Sequence, residues 1–302
     1  MPSERHRVHC RAPRRGLSYR FAVRCEDASL AAQADVVLAG LREPDAGAPI
    51  DHWYSLTTTP GGVGTFDVRR DEELLARDQR RGDALGWLVW DVNRSAAAAS
   101  GQHLLFHAGA LEADGIGVLL PGTSGSGKST LTAGLTCADF GYLTDELVAF
   151  DLMTGDLLPY AKPITLKAGS FAVVPALDPA RVLPPGTGPW SGTEWQVPVG
   201  GTTGRRVGRP CPPRLVVVPR YDAAAPTGLT PLSDTEAFLS LALHAVNLLP
   251  HGAAGTAAVA GVVAQSACYA LTMSDLDEAC ALVQGLVDDV AAVVPHGAVD
   301  AG

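Results

Sequence analysis

The stretch Gly122, Thr123, Ser124, Gly125, Ser126, Gly127, Lys128, Ser129, Thr130 constrains the fold more than any other part of this chain. It satisfies the GxxxxGK[ST] spacing in full, and that spacing works only when a strand delivers the loop and a helix receives it. The apolar run VLLP precedes it and LTAGL follows it. Glycines at 122, 125 and 127 let the backbone curl so that successive N–H groups point inward. The positive end of the following helix then faces the same anion. Lys128 can span β- and γ-phosphates, and Ser129 can ligate Mg²⁺. The expected ligands are a nucleoside triphosphate and Mg²⁺, bound through residues 122–130.

Seventeen residues after Lys128 comes Asp145, followed by Glu146, in GYLTDELVAF. Two carboxylates at a strand end beside a phosphate loop can divide the work. One accepts a proton from a hydroxyl nucleophile and the other helps hold Mg²⁺. Adjacent residues on an extended strand point oppositely. Leu143, Asp145 and Leu147 share a parity, so Asp145 is expected to face inward; both carboxylates face the phosphates only if the backbone turns there, in which case Glu146 is the candidate to serve the metal with Ser129. His107, on the preceding strand, could hydrogen-bond Asp145 and fix its direction. No LSGGQ-like segment is present, which argues against a transport ATPase.

The block HAGALEADGIGVLLPGTSGSGKSTL, followed by GYLTDELVAF, resembles the catalytic domain of the HPr serine kinase family. The resemblance is closer still to the HPr-kinase-related proteins found with ribosomally made peptides, including lasso peptides. It covers about residues 103–170, with weaker echoes in KPITLK, VVVPRY, PLSDTEAF and YALTMSDLDEA. It implies an α/β fold of the kind shared with phosphoenolpyruvate carboxykinase: a mixed sheet flanked by helices, with a strand pair before the P-loop. It further implies an ATP- and Mg²⁺-dependent phosphotransferase acting on a serine of a precursor peptide. His107 would be the active-site histidine, Lys128 and Ser129 the phosphate and Mg²⁺ ligands, and Asp145 the base. Glu146 stands where family members often carry a second Asp. VPVGGTTGRR at 197–206 only faintly echoes the loop of the bifunctional kinase/phosphorylases, so simple kinase action is expected. A sugar or polyol kinase on the same scaffold, or a nucleotide sensor without turnover, remain the alternatives.

Residues 1–100 read as a small α+β module that could recognise the acceptor, and residues 101–302 as the kinase domain. The arginine-rich first 20 residues read as an arm ending in a strand at 17–23. Helices are expected over 30–41, over 83–96 and from Lys128 to before Gly141. Trp53, Trp87 and Trp90 are expected in the core of the first module. Asp114-Gly115 between two apolar runs predicts a hairpin. Residues 143–150 and 214–219 read as strands, and 175–213 as a Pro- and Gly-rich loop. Ser233-x-x-Glu236 forms a capping box that opens a helix through about Leu248. Ser274-x-x-Asp277 opens the last helix. Arg205, Arg206 and Arg220 could close on the transferring phosphate, whereas Lys162 and Lys167 read as surface lysines.

A net charge of −9 argues against broad nucleic-acid or anionic-membrane binding, which needs a positive surface. No run approaches the roughly 20 apolar residues of a membrane span. Six cysteines without a CxxC pair suit reduced thiols. A cytoplasmic protein is expected, with a peptide or small hydroxyl substrate as partner and a homo-oligomer possible.

Overall fold

A computed structural model describes residues 9–10, 13–43, 45, 47–178, 194–201 and 203–293. The chain is a mixed α/β protein of two compact units, one formed by residues 1–100 with 160–205 and the other by 101–159 with 206–302. The segment 160–205, which the sequence placed in the kinase domain, therefore packs with the first unit. The packing is tight. A Cβ on Gly40 would lie 2.3 Å from the carbonyl oxygen of Ala161 and 3.0 Å from that of Val199.

In the first unit, strands β1 (His9–Cys10), β3 (Tyr19–Cys25), β4 (His52–Thr58), β5 (Thr65–Arg70) and β6 (Glu73–Arg80) form a sheet in that order, with β2 (Arg14–Gly16) paired to β3. Helix α1 (Ala28–Val37) is the crossover between the parallel pair β3 and β4, capped by the Asp27 side chain accepting from Leu30 N–H. The expected arm thus contributes strands, β1 at residues 9–10 and β2 from residue 14. Arg14 is buried and ion-paired with Asp35, and the predicted strand start at Leu17 is a turn with φ +56°. Its residues 1–8 and 11–12 lie outside the described residues.

Helix α2 (Arg81–Ala99) buries Leu85, Leu88, Val89, Val92 and Ala96. That stripe leaves Trp87 and Trp90 on the outer face, 38% and 55% exposed, edge to face with each other, so they are not core residues. The fully buried Asp91 ties the helix to the sheet by accepting from Tyr54 Oη at 2.8 Å and Arg70 Nη1 at 3.2 Å. Within the stretch read as a loop, β13 (Glu194–Val197) pairs with β12 (Ile164–Lys167). Residues 179–193 and 202 of that stretch lie outside the described residues. Lys162 is buried, against expectation, and donates to the carbonyl of Pro163 at 3.1 Å.

The second unit is built on one mixed sheet, ordered β11 (Leu157–Leu158), β10 (Leu147–Phe150), β7 (Leu104–Ala113), β8 (Ile116–Pro121), β14 (Pro213–Tyr221), β16 (Ala267–Met273) and β15 (Gly228–Pro231), with β9 (Gly141–Thr144) also on β7. β8, β14 and β16 run parallel, and the remaining pairs are antiparallel. Asp114 and Gly115, at φ +52° and +78°, make the predicted hairpin turn, because that two-residue turn needs left-handed backbone at both positions. On one face Phe106, Ala108, Ala110, Leu119 and Val216 pack under Ala237 and Leu241 of α4 (Asp234–His244) and Val259, Val262 and Val263 of α5 (Leu248–Gln265). The Ser233–Glu236 capping box is formed at the start of α4. On the other face lie α3 (Lys128–Cys137) and α6 (Leu276–Val293), packed on each other and on β14. Among the described residues no helix is long and apolar enough to cross a membrane.

Candidate functional site

The glycine-rich segment leaves the end of β8 and enters α3. Gly125 and Gly127 sit at φ +86° and +88°, and Gly127 caps α3 in the left-handed conformation. A side chain at either position would be strained whatever the space around it. At Gly122 a Cβ would lie 2.6 Å from Ser126 Oγ. The loop is closed by Ser126 N–H donating to Thr123 O at 3.2 Å, and it is tied to β14 by Tyr221 N–H donating to Ser126 O at 3.0 Å. Thr123, Ser124 and Gly125 are exposed, while Ser129 and Thr130 are half-buried in the first helical turn. The first N–H groups of any α-helix have no partner within the helix, so this end can receive an anion.

Strand β7 explains how Lys128 reaches the site. Phe106, Ala108 and Ala110 face the α4–α5 side, which turns His107 and Gly109 toward α3. A Cβ on Gly109 would meet Thr132 Oγ1 at 2.5 Å and Lys128 Cγ at 3.5 Å. The missing side chain lets α3 lie directly on β7. Lys128, only 6% exposed, then places Nζ 3.0 Å from His107 Nε2. An ammonium has no lone pair, so His107 Nε2 accepts and the ring proton belongs on Nδ1. Burial first, and then the Lys128 ammonium, hold the His107 pKa below its ordinary value, with Glu146 acting in the opposite direction.

This depression carries a sign. The unfolded histidine takes up its proton near pH 6.5 and the folded one at a lower pH. Below about pH 6.5 the unfolded state therefore binds more protons, and stability falls as pH falls. His107→Gln keeps an acceptor for Lys128 and does not titrate. The difference in Tm between wild type and His107→Gln, followed from pH 7.5 to 5.5 by calorimetry, should shift against wild type as pH drops. A difference that stays constant would show that His107 is not held neutral.

The predicted single strand over 143–150 is broken. β9 ends at Thr144, β10 begins at Leu147, and the chain bends at Asp145 and Glu146. Both strands pair with β7, so the bend lies beside Ala108 and Gly109, where Ala108 N–H donates to Glu146 O at 3.1 Å. Asp145 is buried at 2% exposure, and its Oδ1 accepts from Tyr142 Oη at 2.9 Å. Burial and the Asp145 carboxylate push the Tyr142 pKa up, so the phenol stays a donor. Strand parity is not what buries Asp145. Leu143 packs among the apolar residues under α4 and α5, whereas Leu147 stands opposite His107. Glu146 is half-buried.

The structure thus sets Lys128 against His107 and the bend at 145–146 against the neighbouring residues of β7, but it does not bring in Arg206. Arg206 is ion-paired with Glu112 at the hairpin end of β7, the end opposite the loop, where Glu112 also accepts from Gly115 N–H at 3.0 Å. That amide and the Arg206 guanidinium hold the Glu112 pKa low against burial. Five residues separate Glu112 from His107, about 17 Å along a strand. Arg205 belongs to the first unit and donates to Pro198 O at 3.3 Å. Arg220, at the end of β14, is largely exposed and lies 3.4 Å from Asp222 Oδ2.

Sequence reasoning missed Gly109, Tyr142 and Tyr221. A glycine inside a strand marks close backbone approach, so Gly109 carried a readable signal. Tyr142 and Tyr221 carried none, since what each does depends on how strands pair.

The polar groups suit a triphosphate with Mg²⁺. Ser126 Oγ is buried without a hydrogen-bond partner among the described residues, beside the left-handed glycines. A hydroxyl and carboxylates are hard oxygen donors, and Mg²⁺ bound to phosphates uses only one or two carboxylates. The described residues contain no cluster of three or more His, Cys, Asp or Glu that could hold a metal ion by itself.

No protein-family model matches the chain, and no curated protein matches it. Among solved structures, the Hpr(Ser) kinase/phosphatase from Coxiella burnetii is similar, at a TM-score of 0.31 and 13% identity, over 63% of this chain and 97% of that one. That likeness is too low to carry residue roles across, so the chemistry of this site rests on its own geometry.

Proposed function

We propose that this chain is an ATP- and Mg²⁺-dependent kinase that transfers the γ-phosphoryl group to a hydroxyl, most specifically a serine of a ribosomally made precursor peptide. The observation that carries the reading is the Lys128 ammonium, 3.0 Å from His107, at the mouth of a left-handed glycine loop and beside the Asp145–Glu146 bend. Phosphoryl transfer asks a protein chiefly for positioning and charge neutralisation, and these groups supply both. The peptide acceptor is suggested by the resemblance of residues 103–170 to the kinases found with such peptides.

Lys128 holds the β- and γ-phosphates while neutral His107 adds no competing positive charge beside it. Asp145 accepts the hydroxyl proton as the acceptor oxygen bonds to the γ-phosphorus and the bond to the β-phosphate oxygen breaks, releasing ADP. Tyr142 Oη, donating to Oδ1, orients that carboxylate. Mg²⁺, held by Ser129 and Glu146 together with phosphate oxygens, would neutralise charge on the phosphates.

The test incubates the purified chain with MgATP and serine-containing precursor peptides encoded beside it, followed by mass spectrometry and ADP assay. A peptide gaining the mass of one phosphoryl group, with ADP in equal amount, is the expected result. Phosphorylation of a sugar or polyol alone would overturn the peptide assignment and keep the kinase. ATP bound but never consumed would overturn the kinase.

A further inference from the structure

We infer that the ring of Tyr221 is a stacking platform for the base of the bound nucleoside triphosphate, an inference that rests on the kinase reading above. The sheet gives the loop two unlike sides. On one lies β7, with His107 and the bend at 145–146. On the other lie β14 and β16, both parallel to β8, so all three strands end on the same edge. Ligands of open α/β sheets sit outside the carboxyl ends of such strands. Lys128, the residue that grips the terminal phosphates, leans toward His107 on the β7 side. The triphosphate tail therefore points toward β7, and the nucleoside end faces the last residues of β14 and β16.

Those last residues are Tyr221 and Met273. Tyr221 N–H holds Ser126 O at 3.0 Å, and Asp222 N–H holds Met273 O at 3.0 Å, so both strand ends are stitched to each other and to the loop. A Cβ built on Gly127 would lie 3.5 Å from Tyr221 Cβ and 2.5 Å from Met273 Cε. Met273 is buried as a floor, whereas Tyr221 remains 56% exposed. Alternation along β14 decides which way the ring emerges. Leu215, Val217 and Pro219 share its parity, and Pro219 Cγ lies 3.7 Å from the Cβ position of Gly122. Tyr221 thus stands on the α3 face with the loop, and Arg220 turns to the opposite face. An aromatic face left open next to a phosphate loop suits a purine, and stacking of this kind tolerates any base because every base has a π-face.

Binding of MgATP and of Mg²⁺ with inorganic tripolyphosphate, measured by calorimetry on the full chain, separates the base from the tail. Tyr221→Ala should weaken ATP about tenfold, within the range of aromatic–base stacking, and leave tripolyphosphate unchanged. Tyr221→Phe should bind ATP like wild type, because the ring is kept. Equal weakening of both ligands by Tyr221→Ala would mean a distorted loop and would overturn the platform, as would ATP affinity unchanged in that variant. Wild type that binds tripolyphosphate as tightly as ATP has no base contribution and overturns it too. Wild type that binds neither ligand overturns the kinase reading itself.

Discussion

Asp145→Asn should bind MgATP as wild type does and lose phosphoryl transfer by roughly 10²–10⁴-fold, the contribution of a positioned general base. The substitution is nearly isosteric. The amide oxygen it introduces can still accept the Tyr142 hydroxyl, so the bend and the burial at 2% exposure have no reason to change. What disappears is a carboxylate oxygen able to take a proton. Removing a negative charge near the phosphates also cannot weaken their binding electrostatically. The variant therefore separates kcat from nucleotide affinity. The measurement is single-turnover transfer to the peptide beside calorimetric ATP binding. Transfer at the wild-type rate would place the base elsewhere, and lost ATP binding would make Asp145 a structural residue.

The second large effect is at Lys128. Lys128→Met keeps the length and apolar stem of the side chain and removes the ammonium. Loss of a preorganised charge aimed at the transferring group costs roughly 10²–10³-fold in kcat, and ATP binding should weaken as well because the same ammonium grips the ground state. Stability should move little. A buried ammonium carries a desolvation cost that methionine does not, and half-buried His107 can turn to water for its lost donor. Tm by scanning calorimetry together with kcat gives the discriminating pattern of inactive but fully folded protein. Wild-type turnover in Lys128→Met would remove the phosphate loop from the mechanism. A large fall in Tm would make Lys128 a packing residue.

Much of the second unit is legible in the sequence. The hairpin at Asp114-Gly115, the strand–loop–helix around residues 122–130 and the Ser233–Glu236 cap all depend on residues within a few positions of one another. The helix after the cap is shorter than the expected run to about Leu248. It ends at His244, and α5 follows at once, a helix whose Gly- and Ala-rich stretch gave little period to read. The first unit was harder. Arg14 reads as an arm residue until Asp35 is brought beside it, and Lys162 reads as surface until its neighbours bury it. The tryptophans of α2 lie outside the core because the buried helical stripe of Leu85, Leu88, Val89 and Val92 leaves Trp87 and Trp90 on the other face.

Within the site the same divide appears. Backbone torsions at Gly125 and Gly127, and the chemistry of a lysine and a hydroxyl at the head of a helix, are properties of nine adjacent residues, and any reader of the chain can find them. Which partners meet that loop is another matter. His107 comes to Lys128 because Gly109 admits α3 onto β7, Asp145 turns inward because two short strands bend where both pair with β7, and Tyr221 arrives on a strand that follows the loop by more than eighty residues. Arg206, adjacent to Arg205 in the chain, is taken away by Glu112 at the far end of the hairpin. Local torsion and charge are written in neighbouring letters, but register and sheet order are settled by side-chain packing between distant segments, and it is register that sets Leu147 opposite His107 and Glu112 at the far end of the hairpin.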